Sequence, residues 1–244
     1  MAVWSKIPIE ECGEGLARIP FGRVAMFDPH PYVEQGAVYT NGLSPFMMRA
    51  SAVQALLRAQ DLLQTIHPGH RLKVFDALRP VDVQRQMIDL TVRQYAMRDG
   101  LDPDVLTLFD HKRLHDEVAE SWANPTMDPT TPPPHSTGGA IDLTMVDAQG
   151  REIDMGTVID QCDGPCATNA FNEAADMHGR AVHKNRQLLV AVMEKAGFRH
   201  NPNEWWHFDF GNQRWAYETR RCGGDPATAA RYGRTDLVQA LKVA

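Results

Sequence analysis

His135-Ser136-Thr137-Gly138-Gly139-Ala140-Ile141-Asp142, continuing as Leu143-Thr144-Met145-Val146, is the stretch that decides how this chain folds and where its chemistry sits. Residues 140–146 are short, rich in apolar side chains and preceded by two glycines, which predicts a strand. In a regular strand Asp142 shares a face with Ala140 and Thr144, while Ile141, Leu143 and Met145 face the other way. An aspartate in a buried strand is costly unless it is paired or bound to a metal. With His135 seven positions earlier, an imidazole nitrogen and a carboxylate oxygen are available, and both are suitable zinc ligands. Spacing alone leaves a plainer alternative open, a turn aspartate and a surface histidine, because H-x6-D is common by chance.

Upstream of this strand, residues 124–134 hold five prolines and several threonines, which demands a loop. Residues 41–45 read as a turn. From Ser51, the apolar residues Val53, Leu56, Leu57, Leu63 and Ile66 recur at helical spacing until Pro68-Gly69. Residues 71–78 alternate as a strand does and close on Arg79-Pro80. Helices are expected over 81–97, stopped by Gly100, and over 110–122. Downstream, Asp147-Ala148-Gln149-Gly150 suits a tight turn. A helix over 185–195 ends at Gly197, and a strand follows over about 204–210. Helices and strands mix without a regular βαβ rhythm, which predicts an α+β fold, with residues 1–244 forming one domain.

Composition narrows the partners. The 244 residues are 43% hydrophobic and 23% charged, ordinary values for a globular chain, with a formal net charge of -6 and no lysine- or arginine-rich run. That balance argues against nucleic-acid and anionic-membrane partners and favours small-molecule or peptide chemistry. Glu10, Glu11 and Glu14 in an N-terminus without an apolar core do not suit a signal peptide, and no apolar run reaches the ~18 residues of a membrane span. Four cysteines are too few for a disulfide scaffold, so free thiols and a cytoplasmic location are expected. A homo-oligomer is compatible with the sequence.

The second chemical signal is Glu204-Trp205-Trp206-His207. A catalytic zinc site uses three protein ligands, an open position for water and a nearby base. His207 could complete the ligand set, with Glu204 as that base. If both lie on one strand they are three apart, so a bulge near Trp205 would be needed to bring them into one cleft. Taken alone, Trp205 and Trp206 could equally be core aromatics and Glu204 a solvated edge charge. Competing constellations are weaker. His111 and His115 are four apart on one helix face, but position 112 is lysine, so the H-E-x-x-H pattern is absent. Cys162 and Cys166 are separated by three residues with no second pair. No G-x-S-x-G nucleophile elbow exists.

Together the two signals follow the order H-x-x-G-x-A-x-D and then E-x-W-H some sixty residues on. In this the chain resembles the D-alanyl-D-alanine dipeptidases of the vancomycin-resistance type, within the zinc D-Ala-D-Ala peptidase superfamily. Asp76-Ala77-Leu78-Arg79-Pro80, Met155-Gly156-Thr157 leading to Asp160, and Asn185-Arg186 through Met193 to Gly197-Phe198 extend the resemblance over about residues 39–216. The resemblance implies a central, mainly antiparallel sheet flanked by helices, with a zinc cleft at one side. It also implies one zinc ion per chain on His135, Asp142 and His207, with Glu204 as general base and Arg79 steadying the oxyanion. Asp160 would bind the ammonium of a free D,D-dipeptide. The activity implied is hydrolysis of D-alanyl-D-alanine in cell-wall precursor metabolism or D-alanine salvage.

Some family members carry a serine two residues before the first metal histidine, and here that position is Pro133. Its contact to substrate is then missing or supplied by Ser136. Residues 101–132 look like an enlarged loop-helix region able to reshape the cleft mouth. Two other functions remain to be separated. A related D,D- or L,D-carboxypeptidase acting on peptidoglycan stems would not need the amino-group clamp of Asp160. A non-catalytic zinc protein would have no use for Glu204 beside an open position.

Overall fold

The computed structural model describes residues 3–119, 122, 124–161 and 164–235. After a 3-10 turn (Val3–Lys6) come β1 (Leu16–Arg18), β2 (Ala25–Met26), the single-turn α1 (Pro31–Glu34) and β3 (Met47–Arg49). The central part runs α2 (Ala50–Ile66), β4 (Arg71–Asp76), α3 (Val81–Arg98) and α4 (Leu108–Val118). A second 3-10 turn (Pro134–Thr137) leads into β5 (Ala140–Val146), and the chain finishes with α5 (Met177–Lys195), β6 (Arg199–His200), β7 (His207–Asp209) and α6 (Gln213–Arg221). Among the described residues no helix is long and apolar enough to cross a membrane.

The fold is α+β. Its five-stranded sheet has the order β2-β4-β5-β7-β6, antiparallel throughout except for the β2–β4 pair, and β1 and β3 form a separate ribbon. Alternation along the strands divides the sheet into two faces. Leu72, Val74, Ile141, Leu143, Met145 and Phe208 join one large core, which α2 fills with Ala52, Leu56 and Leu63 and α5 with Leu189, Val192 and Met193. Both helices carry these residues at three- and four-residue spacings, so each buries a single stripe.

The opposite face carries the polar residues. Register places Asp76 opposite Asp142 and Asp142 opposite His207, a row across β4, β5 and β7. A register shift between Val74 and Asp76 lets Asp76 enter that row. The N-terminal arm is tied beneath it by Arg49. This fully buried guanidinium pairs with Glu11 at 3.1 Å and donates to the carbonyls of Thr137 and Gly233 at 2.8 and 2.9 Å.

Three expectations change. The strand expected over 204–210 shortens to β7, and a turn replaces the bulge. Glu204 N–H donates to Asn201, His207 N–H to Glu204, and Trp205 N–H to Cys166, each at 3.0–3.1 Å. The helix expected from 185 begins at Met177, capped by Asp176, whose side chain accepts from Gly179 N–H. Its first turns are polar and hold Gly179, so apolar periodicity does not reveal them. The helix expected over 110–122 is α4, which starts at Leu108 behind its Thr107 cap and ends at Val118.

Candidate active site

The 3-10 turn before β5 delivers His135 to the polar face. Gly138 leaves this turn in the left-handed region at φ 69°, which favours glycine. At Gly139 a Cβ would stand 2.4 Å from the Phe210 carbonyl oxygen, so the close approach of β5 to the chain after β7 requires the second glycine. His135 Nδ1 donates to the Ala77 carbonyl at 2.8 Å; a carbonyl only accepts, so the proton lies on Nδ1 and Nε2 faces the row. There it meets Asp142 Oδ2 at 3.2 Å and His207 Nδ1 at 3.3 Å. His207 Nδ1 is 2.9 Å from Asp142 Oδ1.

All three side chains are buried, and their donor atoms lie within 4.8 Å of one another. Donor atoms around a tetrahedral zinc, with bonds of about 2.0–2.1 Å, stand ~3.3–3.4 Å apart, so two imidazoles and a carboxylate at these separations suit one such ion. No other group of metal-ligand side chains is found among the described residues. His111 and His115 stack on α4 at 4.3 Å without a third donor among the described residues. Cys166 is buried, and Cys162 lies outside the described residues.

The charges around the cluster are strongly coupled. Burial alone would raise the Asp142 carboxyl, but the His135 and His207 imidazoles outweigh it and hold the group well below the usual carboxylate range. Burial opposes a charged His207. Asp209 and Asp142 more than offset that and raise its pKa to about 10. Asp209, on the same face of β7, holds Oδ2 3.2 Å from His207 Nε2, a charge contact outside hydrogen-bond geometry that places a carboxylate behind the imidazole whose Nδ1 faces Asp142 and His135.

Around the cluster stand the remaining residues expected from the sequence. Glu204 reaches in from the turn before β7 with Oε2 3.8 Å from His207 Nδ1, and its side chain keeps 36% of its exposure. Arg79 is buried at the end of the loop after β4. Its Nε donates to Asp76 Oδ2 at 2.8 Å and Nη1 to Gln84 at 3.0 Å, while Nη2 lies 3.4 Å from Asp142 Oδ2. Tyr32 and Trp122 flank its guanidinium at 4.9 and 5.0 Å. The Tyr32 hydroxyl accepts from Arg79 Nη2 at 3.1 Å and donates to Asp160, linking those two residues. Burial and then the nearby Asp142 charge push the Asp160 carboxyl up to about 6. Ser136 stands apart: its side chain is buried and its hydroxyl donates to the Pro133 carbonyl at 2.8 Å.

Sequence reasoning missed Tyr32, Asp209 and the part played by Asp76. Asp76 lies three residues from Arg79 and could have been noticed as its ion-pair partner. Asp209 shares a strand face with His207. Tyr32 lies 128 residues from Asp160 and gives no local signal.

Three buried donors with a carboxylate and a buried guanidinium beside them are an arrangement that suits metal-dependent hydrolysis. Comparison with known proteins agrees on the class. Residues 44–222 match the Peptidase_M15 family of D-ala-D-ala dipeptidases. A D-alanyl-D-alanine dipeptidase of Synechocystis sp. is 39% identical over 236 residues, 94% of this chain and 95% of its own length. One from Escherichia coli is 35% identical over 109 residues, covering 43% of this chain and 54% of that protein. A solved D,D-pentapeptidase, VanY, in complex with Zn(II), is 16% identical with a TM-score of 0.44, over 78% of this chain and 88% of that one. The chain belongs to the D-ala-D-ala dipeptidase family.

Proposed function

We propose that the chain is a zinc dipeptidase that hydrolyses free D-alanyl-D-alanine, with one zinc ion held by His135, Asp142 and His207. The observation that carries this reading is the convergence of those three donors with Glu204 on one side and the Arg79–Tyr32–Asp160 chain on the other. Zinc supplies Lewis-acid chemistry there: it lowers the pKa of water and polarises the scissile carbonyl.

The chain's own residues do the rest. Asp160 pairs with the substrate ammonium and fixes the first residue, which favours free dipeptides over chains blocked at that end. Glu204, half-open to solvent beside the cluster, takes the proton of the attacking water and delivers it to the leaving amine. Arg79 turns its guanidinium toward the carbonyl oxygen as negative charge develops, and Asp76 and Gln84 hold it in place so that little reorganisation is needed. Asp209 keeps His207 oriented. The product, D-alanine, places the reaction in the turnover of cell-wall precursors or in D-alanine salvage.

The test is D-alanine release from D-Ala-D-Ala by wild type and Glu204→Ala, with zinc content measured in both. Loss of at least about a hundredfold in kcat, within the range for a general base, with zinc retained supports the reading. A zinc-loaded wild type that releases no D-alanine refutes it.

A further inference from the structure

A cavity of about 700 Å³ opens beside the cluster, and of its walls the proposed chemistry uses only Asp160 and Tyr32. Its lining does not include His135, Asp142 or His207, but it adjoins them in two ways. Thr144 lines it from the same face of β5 as Asp142, two residues on, a distance of about 7 Å along a strand. Asp160 forms part of its wall. Its other walls are largely apolar and aromatic, with Phe27, Phe75, Met155, Ile159 and Trp205 among them. The two acids at its edge are already paired, Glu152 with Lys73 and Asp154 with His178, each at 2.8 Å.

A second cavity of about 360 Å³ also touches Asp160, on the α3 side. It is lined by Gln94, Tyr95, Arg98 and Trp122, the ring that the Arg79 guanidinium covers at 5.0 Å.

We propose that the larger cavity receives the side chain of the dipeptide's first residue, so that the chain prefers D,D-dipeptides beginning with a large apolar residue to D-Ala-D-Ala. This rests on the reading above, in which Asp160 holds the ammonium and the metal cluster faces the scissile carbonyl. Those two groups flank the Cα of the first residue, so its side chain starts at the cavity wall. A volume of this size lies in the range of about 300–1,000 Å³ that accommodates drug-sized ligands, far beyond the need of one methyl group. Each additional buried methylene is worth about fourfold in binding, so the three extra carbons of D-leucine give an advantage of about tenfold or more.

The experiment compares kcat/KM of the zinc-loaded full chain for D-Ala-D-Ala, D-Leu-D-Ala and D-Phe-D-Ala, with the tripeptide D-Ala-D-Ala-D-Ala as a further arm. About a tenfold preference for D-Leu-D-Ala over D-Ala-D-Ala is expected. Val158→Trp, at a cavity-lining position whose side chain is 70% exposed, should reduce that preference by about tenfold. A D-Leu-D-Ala to D-Ala-D-Ala ratio of one or less overturns the proposal while leaving the dipeptidase reading intact. So does a ratio that Val158→Trp does not change. Faster cleavage of the tripeptide than of any dipeptide also overturns it, since the cavity would then hold a further residue. No cleavage of any dipeptide by zinc-loaded protein refutes the dipeptidase reading itself.

Discussion

Asp209 is not one of the three proposed zinc donors, yet its charge should set how zinc binding depends on pH. Its Oδ2 lies 3.2 Å from Nε2 of His207, and both side chains are buried. Asp209→Asn removes the charge at constant size, and the amide oxygen can still accept from Asn212 Nδ2, which now bonds Oδ1 at 2.6 Å. Loss of such a carboxylate partner weakens metal binding to the deprotonated imidazole by about 10–100-fold, or ~1.4–2.7 kcal/mol. The pH dependence separates this effect from general damage. With the His207 pKa raised to about 10, wild type must displace a proton from this imidazole to bind zinc at neutral pH. From that proton, apparent affinity rises about tenfold per pH unit.

The variant loses the largest attraction holding that proton, so its pKa falls toward the ordinary histidine value near 6.5. Its affinity then flattens above about pH 7, while that of wild type continues to climb. Zinc Kd values measured against a chromophoric chelator at pH 6.5, 7.5 and 8.5 should therefore fall about tenfold per pH unit in wild type and flatten in the variant, so that wild type gains on the variant steadily as pH rises. Circular dichroism would verify that the variant folds. A variant whose zinc Kd falls with pH on the same slope as wild type refutes the assigned role of Asp209.

Asp160→Asn should raise KM for D-Ala-D-Ala by at least about tenfold with a smaller effect on kcat, as expected for an ion pair that positions substrate. Because the Asp160 carboxyl is pushed up to about 6, it is protonated below that pH and can no longer pair with the ammonium; wild-type KM should climb as pH falls through 6, and the variant's should not. Arg49→Met removes a fully buried guanidinium that ties Glu11 to the carbonyls of Thr137 and Gly233, and should cost about 3–5 kcal/mol in urea denaturation. Gly139→Ala places a methyl 2.4 Å from the Phe210 carbonyl oxygen, where Phe210 N–H donates to Gly139 at 2.6 Å. It should destabilise the fold by about 1–3 kcal/mol and lower zinc affinity as β5 and β7 are forced apart. Thermal melts with and without zinc would separate the two effects.

What could be read in the sequence divides along a physical line. β5 was legible to the residue because glycines and a turn bracket a short apolar run, and α2 because its apolar stripe recurs at helical spacing. Asp142 was legible as a candidate donor because strand alternation already sets it apart from Ile141 and Leu143. Strand-like aromatics, by contrast, suggested that residues 204–206 extend β7. They form a turn because Trp205 N–H bonds Cys166, a partner 39 positions earlier that no local pattern predicts.

The same holds for the groups that tune the site. Asp142 can be recognised as a candidate ligand from its own neighbours, but the pKa values of His207 and Asp160 depend on Asp209, Asp142 and burial, which only the assembled sheet provides. Register is the link between the two. The irregularity between Val74 and Asp76 brings Asp76 level with Asp142 and His207, and through Asp76 it anchors Arg79 beside the cluster. A one-residue slip of β4 would turn Asp76 toward the core and release the guanidinium, with every residue of the recognisable motifs still present. The motifs therefore specify which chemistry is available, and the pairing of β4, β5 and β7 determines whether it is assembled.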